Sequence, residues 1–145
     1  MATGHIWVDI IDQPIEWQSL TQKVANPDAG SHGWFLGVTR RTTDDRVTES
    51  LSYEAHRPMA KSELQKLAEA ASHRFSLFFV VIVHRIGDVP IGEASVVVGC
   101  SSAHRAETFQ ALEWIMDTLK REVPIWKREQ YQDGSSEWVH PQSEH

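Results

Sequence analysis

The stretch Ser101–Gln130, SSAHRAETFQALEWIMDTLKREVPIWKREQ, contains the signals that begin and end one long helix, and the rest of the chain is interpreted outward from it. Its apolar residues recur at helical spacing, at Phe109, Leu112, Ile115, Met116 and Leu119. Ser101 and Ser102 are predicted to cap the helix, because a serine oxygen accepts from amide groups that lack a carbonyl partner. Pro124 cannot continue a helix, so the predicted helix ends near Val123.

Basic residues lie at both ends of this helix. His104 and Arg105 fall in the first turn, where free N–H groups attract anions. Lys120 falls in the last turn and Lys127 follows the proline. Because a helix rises roughly 1.5 Å per residue, one site that used His104 and Lys120 together would need another element or another subunit. The simpler alternative is that Lys120 only complements the helix dipole.

Composition indicates an ordinary globular protein. Hydrophobic residues make up 41% and charged residues 23% of the 145 residues, which favours one domain over residues 1–145 with a polar tail from about residue 133. We expect a cytoplasmic protein, because no apolar run could cross a bilayer, no signal peptide is recognisable, and the single cysteine fits a reducing compartment. The net charge of −6 argues against nucleic acid, so an anionic ligand would need a local cluster of basic groups.

The other segments predict a mixture of strands and helices. Strands are predicted at residues 5–11, 33–39, 47–56, 77–84 and 93–100, with a possible edge strand at 125–131. Helices are predicted at residues 15–25 and from Pro58, a polar loop at 41–45 and a turn at 87–92. The run at 77–84, LFFVVIVH, is continuously apolar and predicts a central strand. Since the elements do not alternate strictly as βαβ, the predicted class is α+β.

The chemistry-bearing residues suggest an anion pocket more than a metal or thiol site. The eight histidines lack metal-ligand spacing, so no metal is predicted, and Cys100 near His104 is more simply a small buried residue than a nucleophile. The remaining cluster is cationic and comprises Arg40, Arg41, His104, Arg105, Lys120, Lys127 and Arg128. Guanidinium groups suit phosphate and carboxylate oxygens, and a lysine crowded by cations loses its proton more readily. The residues by themselves predict a small-anion pocket with one or two reactive lysines.

Five segments of the chain resemble the large, catalytic subunit of molybdopterin synthase, the MoaE family. They are GVTR at 37–40, SLSYEAHRPMA at 50–60, VIVHRIGDVPIGEASVVV at 81–98, SAHRAETFQALEWIMDTLK at 102–120 and VPIWKRE at 123–129. The resemblance extends from about residue 33 to residue 129, in the order and spacing of that family. The segments differ from the family pattern in two places: the loop at 41–45 has no glycine, and no Lys or Arg follows Arg128.

The resemblance implies a fold, a reaction and partners. The fold would be α/β-hammerhead-like, with a mixed or antiparallel sheet packed with helices, and dimeric. Two copies of a small ubiquitin-like sulfur carrier, ending in a Gly-Gly thiocarboxylate, would bind one dimer as a heterotetramer. The reaction would add two sulfurs to cyclic pyranopterin monophosphate (precursor Z) to form the dithiolene of molybdopterin. No metal, cofactor, nucleic acid or membrane is implied.

The resemblance also implies roles for individual residues. The implied substrate contacts are Val38, Thr39, Arg40, His104, Arg105, Lys120, Lys127, Arg128 and Glu129. Lys120 and Lys127 would be the catalytic lysines, with Lys120 favoured for proton transfer or a covalent step, and Trp126 would wall the slot for the Gly-Gly tail. Two alternatives from other classes stay open: an inactive binding module or scaffold that keeps the partner groove, and an anion-binding enzyme of another kind.

Overall fold

A computed structural model of the chain describes residues 5–139. The strands are β1 (His5–Ile11), β2 (Ser31–Val38), β3 (Thr42–Thr43), β4 (Arg46–Ala55), β5 (Phe79–Arg85), β6 (Gly87–Pro90), β7 (Ala94–Ser102), β8 (Ile125–Tyr131) and β9 (Ser136–Val139). The helices are a 3₁₀ helix at Trp17–Val24, α1 (Arg57–Phe75) and α2 (Arg105–Glu122). The mixture confirms the predicted α+β class. Within residues 5–139 no helix is both long and apolar enough to cross a membrane.

The first sheet has the strand order β1-β5-β7-β2. β1 pairs with β5 in parallel, whereas β5–β7 and β7–β2 are antiparallel, so the sheet is mixed. The central position predicted for the apolar run is confirmed, because β5 lies between β1 and β7 and is buried from Val80 to Arg85. A strand covered on both faces needs apolar side chains on both, which is why its sequence does not alternate.

Both faces of this sheet are covered, by different helices. Val80 and Ile82 of β5 belong to the main core with α1 and α2, whereas Val81 and Val83 pack with Val24 of the 3₁₀ helix on the other face. Helix α1 begins at a capped end, where His56 Nδ1 accepts a hydrogen bond of 3.3 Å from the Met59 amide. Helix α2 ends at Glu122 just before Pro124, as predicted.

The second sheet has the order β3-β4-β8-β9, with β6 also paired to β4. Two predictions fail here. The possible edge strand at 125–131 is an interior strand, because β9 forms from the predicted loose tail and pairs with it. The predicted turn at 87–92 begins with a strand, because Gly87–Pro90 pairs with Ser50–Tyr53 of β4 and buries Val89 completely. Residues 140–145 of the predicted tail lie outside the described residues.

Three local predictions need correction. The helix predicted at 15–25 is a 3₁₀ helix, since the segment is short, has no side-chain cap and buries only Val24. Ser101 and Ser102 do not cap α2; they extend β7 by pairing with Ser31 and His32, and His104 is the N-cap residue. The loop at 41–45 is a tight hairpin formed by β3 and β4, in which Asp44 and Asp45 have positive φ angles of 48° and 68°.

Candidate active site

Lys127 lies in the middle of the second sheet. It is opposite Tyr53 of β4 on one side and opposite Val139 of β9 on the other. Because strand side chains alternate between faces, Lys127 shares its face with Ile125 and Glu129 and with the opposite residue Tyr53. This face of the sheet points towards the C-terminal end of α2.

A cavity of about 60 Å³ lies between that face of the second sheet, the last turns of α2 and the ends of β5 and β7. Its lining consists of Tyr53, His84, Val96, Met116, Leu119, Lys120, Val123, Ile125 and Lys127. Lys120 and Lys127, which are separated by Pro124 in the sequence, therefore meet at one cavity. The proline that ends α2 turns the chain directly into β8, and that turn brings the two lysines together.

The environment of Lys127 favours its neutral form. The pKa of Lys127 is lowered from its ordinary 10.5 to about 8, chiefly by burial and then by the positive charges of Lys120 and Arg40, whereas Glu129 opposes the shift. Burial removes water that would stabilise the ammonium, and like charges nearby act in the same direction. An amine with this pKa has an appreciable neutral fraction near pH 7, so it can accept or donate a proton or act as a nucleophile.

Arg40 follows a turn that is fixed by backbone hydrogen bonds. The Thr39 amide donates to Glu93 O at 3.0 Å, and Gly92 N donates to Thr39 O at 2.8 Å. Val38 is exposed, whereas Thr39 is buried and its hydroxyl has no hydrogen-bond partner among residues 5–139. Arg40 itself is exposed, and its charge acts on Lys127. The charges of Arg40, Lys120 and Lys127 thus lie near one another within a single protomer.

The residues after Lys127 divide between the two faces of β8. Glu129 is on the face of Lys127, is 4% exposed and accepts a short hydrogen bond from the Thr48 hydroxyl. Arg128 is on the opposite face, where its guanidinium lies 5.6 Å from the ring centre of Trp138. Trp126 is on that opposite face too and is 53% exposed, so it does not wall the lysine cavity of its own protomer.

His104 and Arg105 do not reach this cavity in the same protomer. Both are exposed at the start of α2, whereas Lys120 is in its last turn. Lys120 follows His104 by sixteen positions, which correspond to about 24 Å along a helix axis. The sequence therefore identified two basic clusters, at opposite ends of one helix, and the fold of one chain does not bring them together.

Two residues of the cavity were missed from the sequence, Tyr53 and His84. Tyr53 stands in an alternating strand pattern, and His84 is only the last residue of the apolar run at 77–84, so neither pattern marks a site. Burial lowers the pKa of His84 to about 4, so its imidazole is neutral at pH 7. The His84 Nδ1 lies 2.8 Å from Arg85 O, which makes Nδ1 the protonated nitrogen. The two rings contact edge to face, with centroids 5.0 Å apart.

Cys100 is a buried core residue, in agreement with the simpler of its two interpretations. It is fully buried, and burial raises the pKa of its thiol to about 12. A thiol with that pKa is protonated at neutral pH, which removes its nucleophilic form. Among residues 5–139 no three His, Cys, Asp or Glu side chains are grouped as a metal site would require.

Comparison with known proteins gives the family. A family model described as MoaE protein matches residues 10–122 of this chain. The chain belongs to the MoaE protein family. The MoaE match covers Arg40, His104, Arg105 and Lys120 and ends before Lys127. It agrees with the resemblance recognised in the sequence.

Individual relatives are named for molybdopterin synthase. The chain is 43% identical over 117 residues to the molybdopterin synthase catalytic subunit of Emericella nidulans, which covers 81% of this chain and 60% of that relative. The solved molybdopterin synthase of Staphylococcus aureus matches with a TM-score of 0.85 and 31% identity, covering 96% of this chain and 98% of that one. The complex of subunits 1 and 2 of the molybdopterin-converting factor from Helicobacter pylori matches with a TM-score of 0.73 over 94% of this chain and 90% of that one, and at 19% identity it supports the fold alone.

Proposed function

We propose that this chain is the catalytic subunit of a molybdopterin synthase, a sulfurtransferase of molybdenum cofactor biosynthesis. It takes sulfur from the thiocarboxylated C-terminus of a small ubiquitin-like subunit and adds two sulfurs to cyclic pyranopterin monophosphate. The product is the dithiolene of molybdopterin. One observation carries the proposal: in a MoaE-family chain, Lys120 and Lys127 meet at one cavity with the charge of Arg40 beside them.

The charges of this site suit an anionic substrate and an anionic sulfur donor. The chain as a whole carries a net charge of −6, so attraction for a phosphate has to come from local basic groups. Arg40 offers a guanidinium fork for phosphate oxygens, and the two lysines offer point charges for the thiocarboxylate. Glu129 is buried on the same face and balances part of this positive charge.

Within this site we assign proton transfer to Lys127 in preference to Lys120. Its pKa of about 8 lets it change protonation state near neutral pH, which a proton carrier must do. Lys120 then has two effects: its charge keeps the pKa of Lys127 low, and it helps to hold the incoming anion. The roles of Val38, Thr39 and Arg128 as substrate contacts remain predictions from the family resemblance.

We further propose that the functional unit is a dimer of this chain with two small partner subunits, and that each site uses residues of both protomers. His104 and Arg105 are exposed and about 24 Å along α2 from Lys120, so they serve the same reaction if a neighbouring protomer supplies them. The exposed Phe35 and Phe109, at 40% and 69%, lie on β2 and α2 and offer an apolar surface for such a contact.

The experiment is to replace Lys120 and Lys127 singly by alanine and to measure dithiolene formation with the thiocarboxylated small subunit. We expect each variant to lose at least about a hundredfold in rate, because each removes a charge at the reacting atoms. Lys66→Ala is the matched control, since Lys66 is an exposed helix lysine paired with Glu63 in its own helix at 3.2 Å. It should keep the full rate.

The outcomes separate the three classes of function. Loss in both lysine variants with an active control supports the synthase. If the unaltered chain binds the thiocarboxylated small subunit but forms no dithiolene, it is instead a binding module or scaffold. If the chain binds no Gly-Gly-ended partner at all, the synthase proposal is wrong, and an anion-binding enzyme of another kind becomes the better explanation.

A further inference from the structure

Thr48 of β4 is hydrogen-bonded to two segments of the candidate site at once. Its backbone amide donates to the carbonyl oxygen of Arg41 at 2.6 Å, one residue after Arg40. Its hydroxyl donates a short hydrogen bond to the carboxylate of Glu129, which is on the same face of β8 as Lys127. Thr48 is 3% exposed, so both bonds are shielded from water. One buried residue thus connects the segment of Arg40 to the strand of Lys127.

The hairpin that follows Arg41 is strained and short. Thr43 of β3 pairs with Arg46 of β4. The two residues between them, Asp44 and Asp45, have φ angles of 48° and 68°. Two-residue hairpins need these positive φ angles, which glycine adopts with least strain and aspartate only at some cost. Because β3 itself has only two residues, contacts outside the hairpin have to fix its position.

The ladder between β4 and β8 is irregular where Thr48 lies. Thr48 is opposite Tyr131, and the register shifts between Thr48 and Ser50 before regular pairing resumes. An irregularity of this kind disrupts the ladder locally. The side-chain bond from Thr48 to Glu129 crosses from β4 to β8 at this point. It therefore holds the two strands together next to the hairpin, where their backbone pairing is interrupted.

Arg40 lies between two residues whose backbones are anchored. On one side, the Thr39 amide donates at 3.0 Å to the carbonyl oxygen of the residue that precedes β7 of the first sheet. On the other side, the Arg41 carbonyl accepts from Thr48 in the second sheet. Lys127 belongs to the second sheet too. The Thr48 anchor is therefore the one that sets the position of the Arg40 backbone relative to Lys127.

We propose that Thr48 is a positioning residue that keeps Arg40 in a fixed place relative to Lys127. Its amide acts through Arg41, and its hydroxyl acts through Glu129. This inference rests on the proposed function, which assigns Arg40 and Lys127 to one reaction. The side chain of Arg40 is long and exposed, so small movements of its backbone are amplified at the guanidinium. Geometry errors on the order of 1 Å between groups that act together can cost a reaction as much as a hundredfold in rate.

The first test is Thr48→Val, which keeps the backbone amide and the shape of the side chain but removes the hydroxyl. We expect kcat/KM for cyclic pyranopterin monophosphate to fall about tenfold, mainly through a higher KM, because Arg40 is then less well placed to hold the phosphate. Thr48→Ser keeps the hydroxyl and should keep nearly the normal KM. Thr48→Cys has a thiol, which is a weaker donor, and its KM should lie between those of the other two variants.

The matched control is Tyr131→Phe, which also removes a hydroxyl that donates to a carboxylate in the second sheet, that of Glu137 at 2.6 Å. The control should lose thermal stability and keep its KM. A Thr48→Val KM equal to that of the unaltered chain, or an equal rise in Tyr131→Phe, would overturn the inference. If Thr48→Val does not fold, Thr48→Cys is compared with Thr48→Ser, and equal KM values in these two variants overturn it as well.

Amide hydrogen exchange gives a readout that does not depend on activity. Exchange of residues 40–48 should be faster in Thr48→Val than in Tyr131→Phe, because β4 is released from β8 beside the hairpin. Equal exchange in the two variants contradicts the positioning role. If the unaltered chain forms no dithiolene, the proposed function is wrong, and the exchange measurement still decides whether the Thr48 hydroxyl braces the segment of Arg40.

Discussion

Lys127 and His84 are two bases on the wall of one cavity, and burial lowers the pKa of both. The two side chains nevertheless differ in charge near pH 7, because the ordinary pKa of a lysine is 10.5 and that of a histidine is 6.5. His84, shifted to about 4, stays neutral throughout the physiological range, whereas Lys127, shifted to about 8, titrates within reach of it. The cavity thus presents one permanently neutral ring and one amine with a variable charge, and only the amine can carry a proton at neutral pH.

The first residue-scale prediction concerns the protonation of Lys127. Acylation of Lys127 by an amine-reactive reagent, followed by mass spectrometry, should rise with pH around a midpoint near 8. In Lys120→Gln one neighbouring positive charge is lost, so the ammonium is less disfavoured and the midpoint should move upward by roughly half a pH unit. Exposed Lys66 serves as the internal reference. A midpoint that stays in place or moves downward in Lys120→Gln contradicts this account of the site.

The second residue-scale prediction concerns acid stability. Because the pKa of His84 is lower in the folded chain than its ordinary 6.5, the unfolded chain binds the proton more readily below that pH. His84 should therefore cost stability as the pH falls from 6.5 towards 4, on the order of 3 kcal/mol in total. His84→Asn keeps a donor for Arg85 O and cannot be protonated, so thermal unfolding should depend less on pH over this range. If thermal unfolding of His84→Asn depends on pH as steeply as that of the unaltered chain, groups other than His84 cause the loss of stability in acid.

At the scale of elements, the first sheet depends on glycines that leave room for large side chains. Gly99 of β7 is the register partner of Trp34 of β2, and the indole covers the space that a side chain at residue 99 would occupy. A β-carbon there would come within 2.3 Å of the Trp34 ring. Trp34 in turn contacts Trp17 of the 3₁₀ helix, with centroids 6.0 Å apart. This glycine thus allows the 3₁₀ helix to pack on the sheet.

The prediction at this scale is that Gly99→Ala destabilises the chain by about 2 kcal/mol, as overpacking of a core commonly does. Chemical denaturation would measure the loss. Trp34→Leu should then be less damaging in Gly99→Ala than in the unaltered chain, because the smaller side chain removes the clash. If the two changes prove additive, the strain does not arise between these two residues.

At the scale of the whole molecule, the two basic clusters are at opposite ends of α2. Arg40, Lys120 and Lys127 meet at one end, and His104 and Arg105 are exposed at the other. A symmetric dimer can bring the start of one α2 towards the end of its partner, since the same surfaces are used twice. This geometry is why we propose a synthase site composed of residues from both protomers.

Complementation between inactive variants tests the composite site. Lys127→Ala and His104→Ala are each expected to be inactive alone, and equal mixtures that exchange protomers should recover about a quarter of the normal activity. Half of the dimers are then mixed, and each mixed dimer has one of its two sites intact. Mixing without subunit exchange provides the control. If all functional residues came from one protomer, no activity would return.

Sequence by itself was sufficient for several features whose signal is local. The end of α2 at Pro124, the central strand of residues 79–85 and the basic residues of the site could all be predicted, because each depends on periodicity, backbone chemistry or residue type within a short window. The strands β6 and β9 could not be predicted. Gly87–Pro90 resembles a turn and Ser136–Val139 a polar tail, and each is a strand only because another strand pairs with it.

Tertiary structure decided which of these residues act together. The sequence places Lys127, Arg128 and Glu129 side by side, and the alternation of the strand puts the first and third on the face that borders the cavity and the second on the opposite face. In the sequence Lys120 and Arg40 are eighty positions apart. The packing of α2 against the second sheet places the charges of both near the amine of Lys127. Tyr53 and His84 carry no local mark of function. Burial and pairing are long-range properties, so the low pKa of Lys127 and the hydrogen bonds that brace Arg40 exist only in the folded chain.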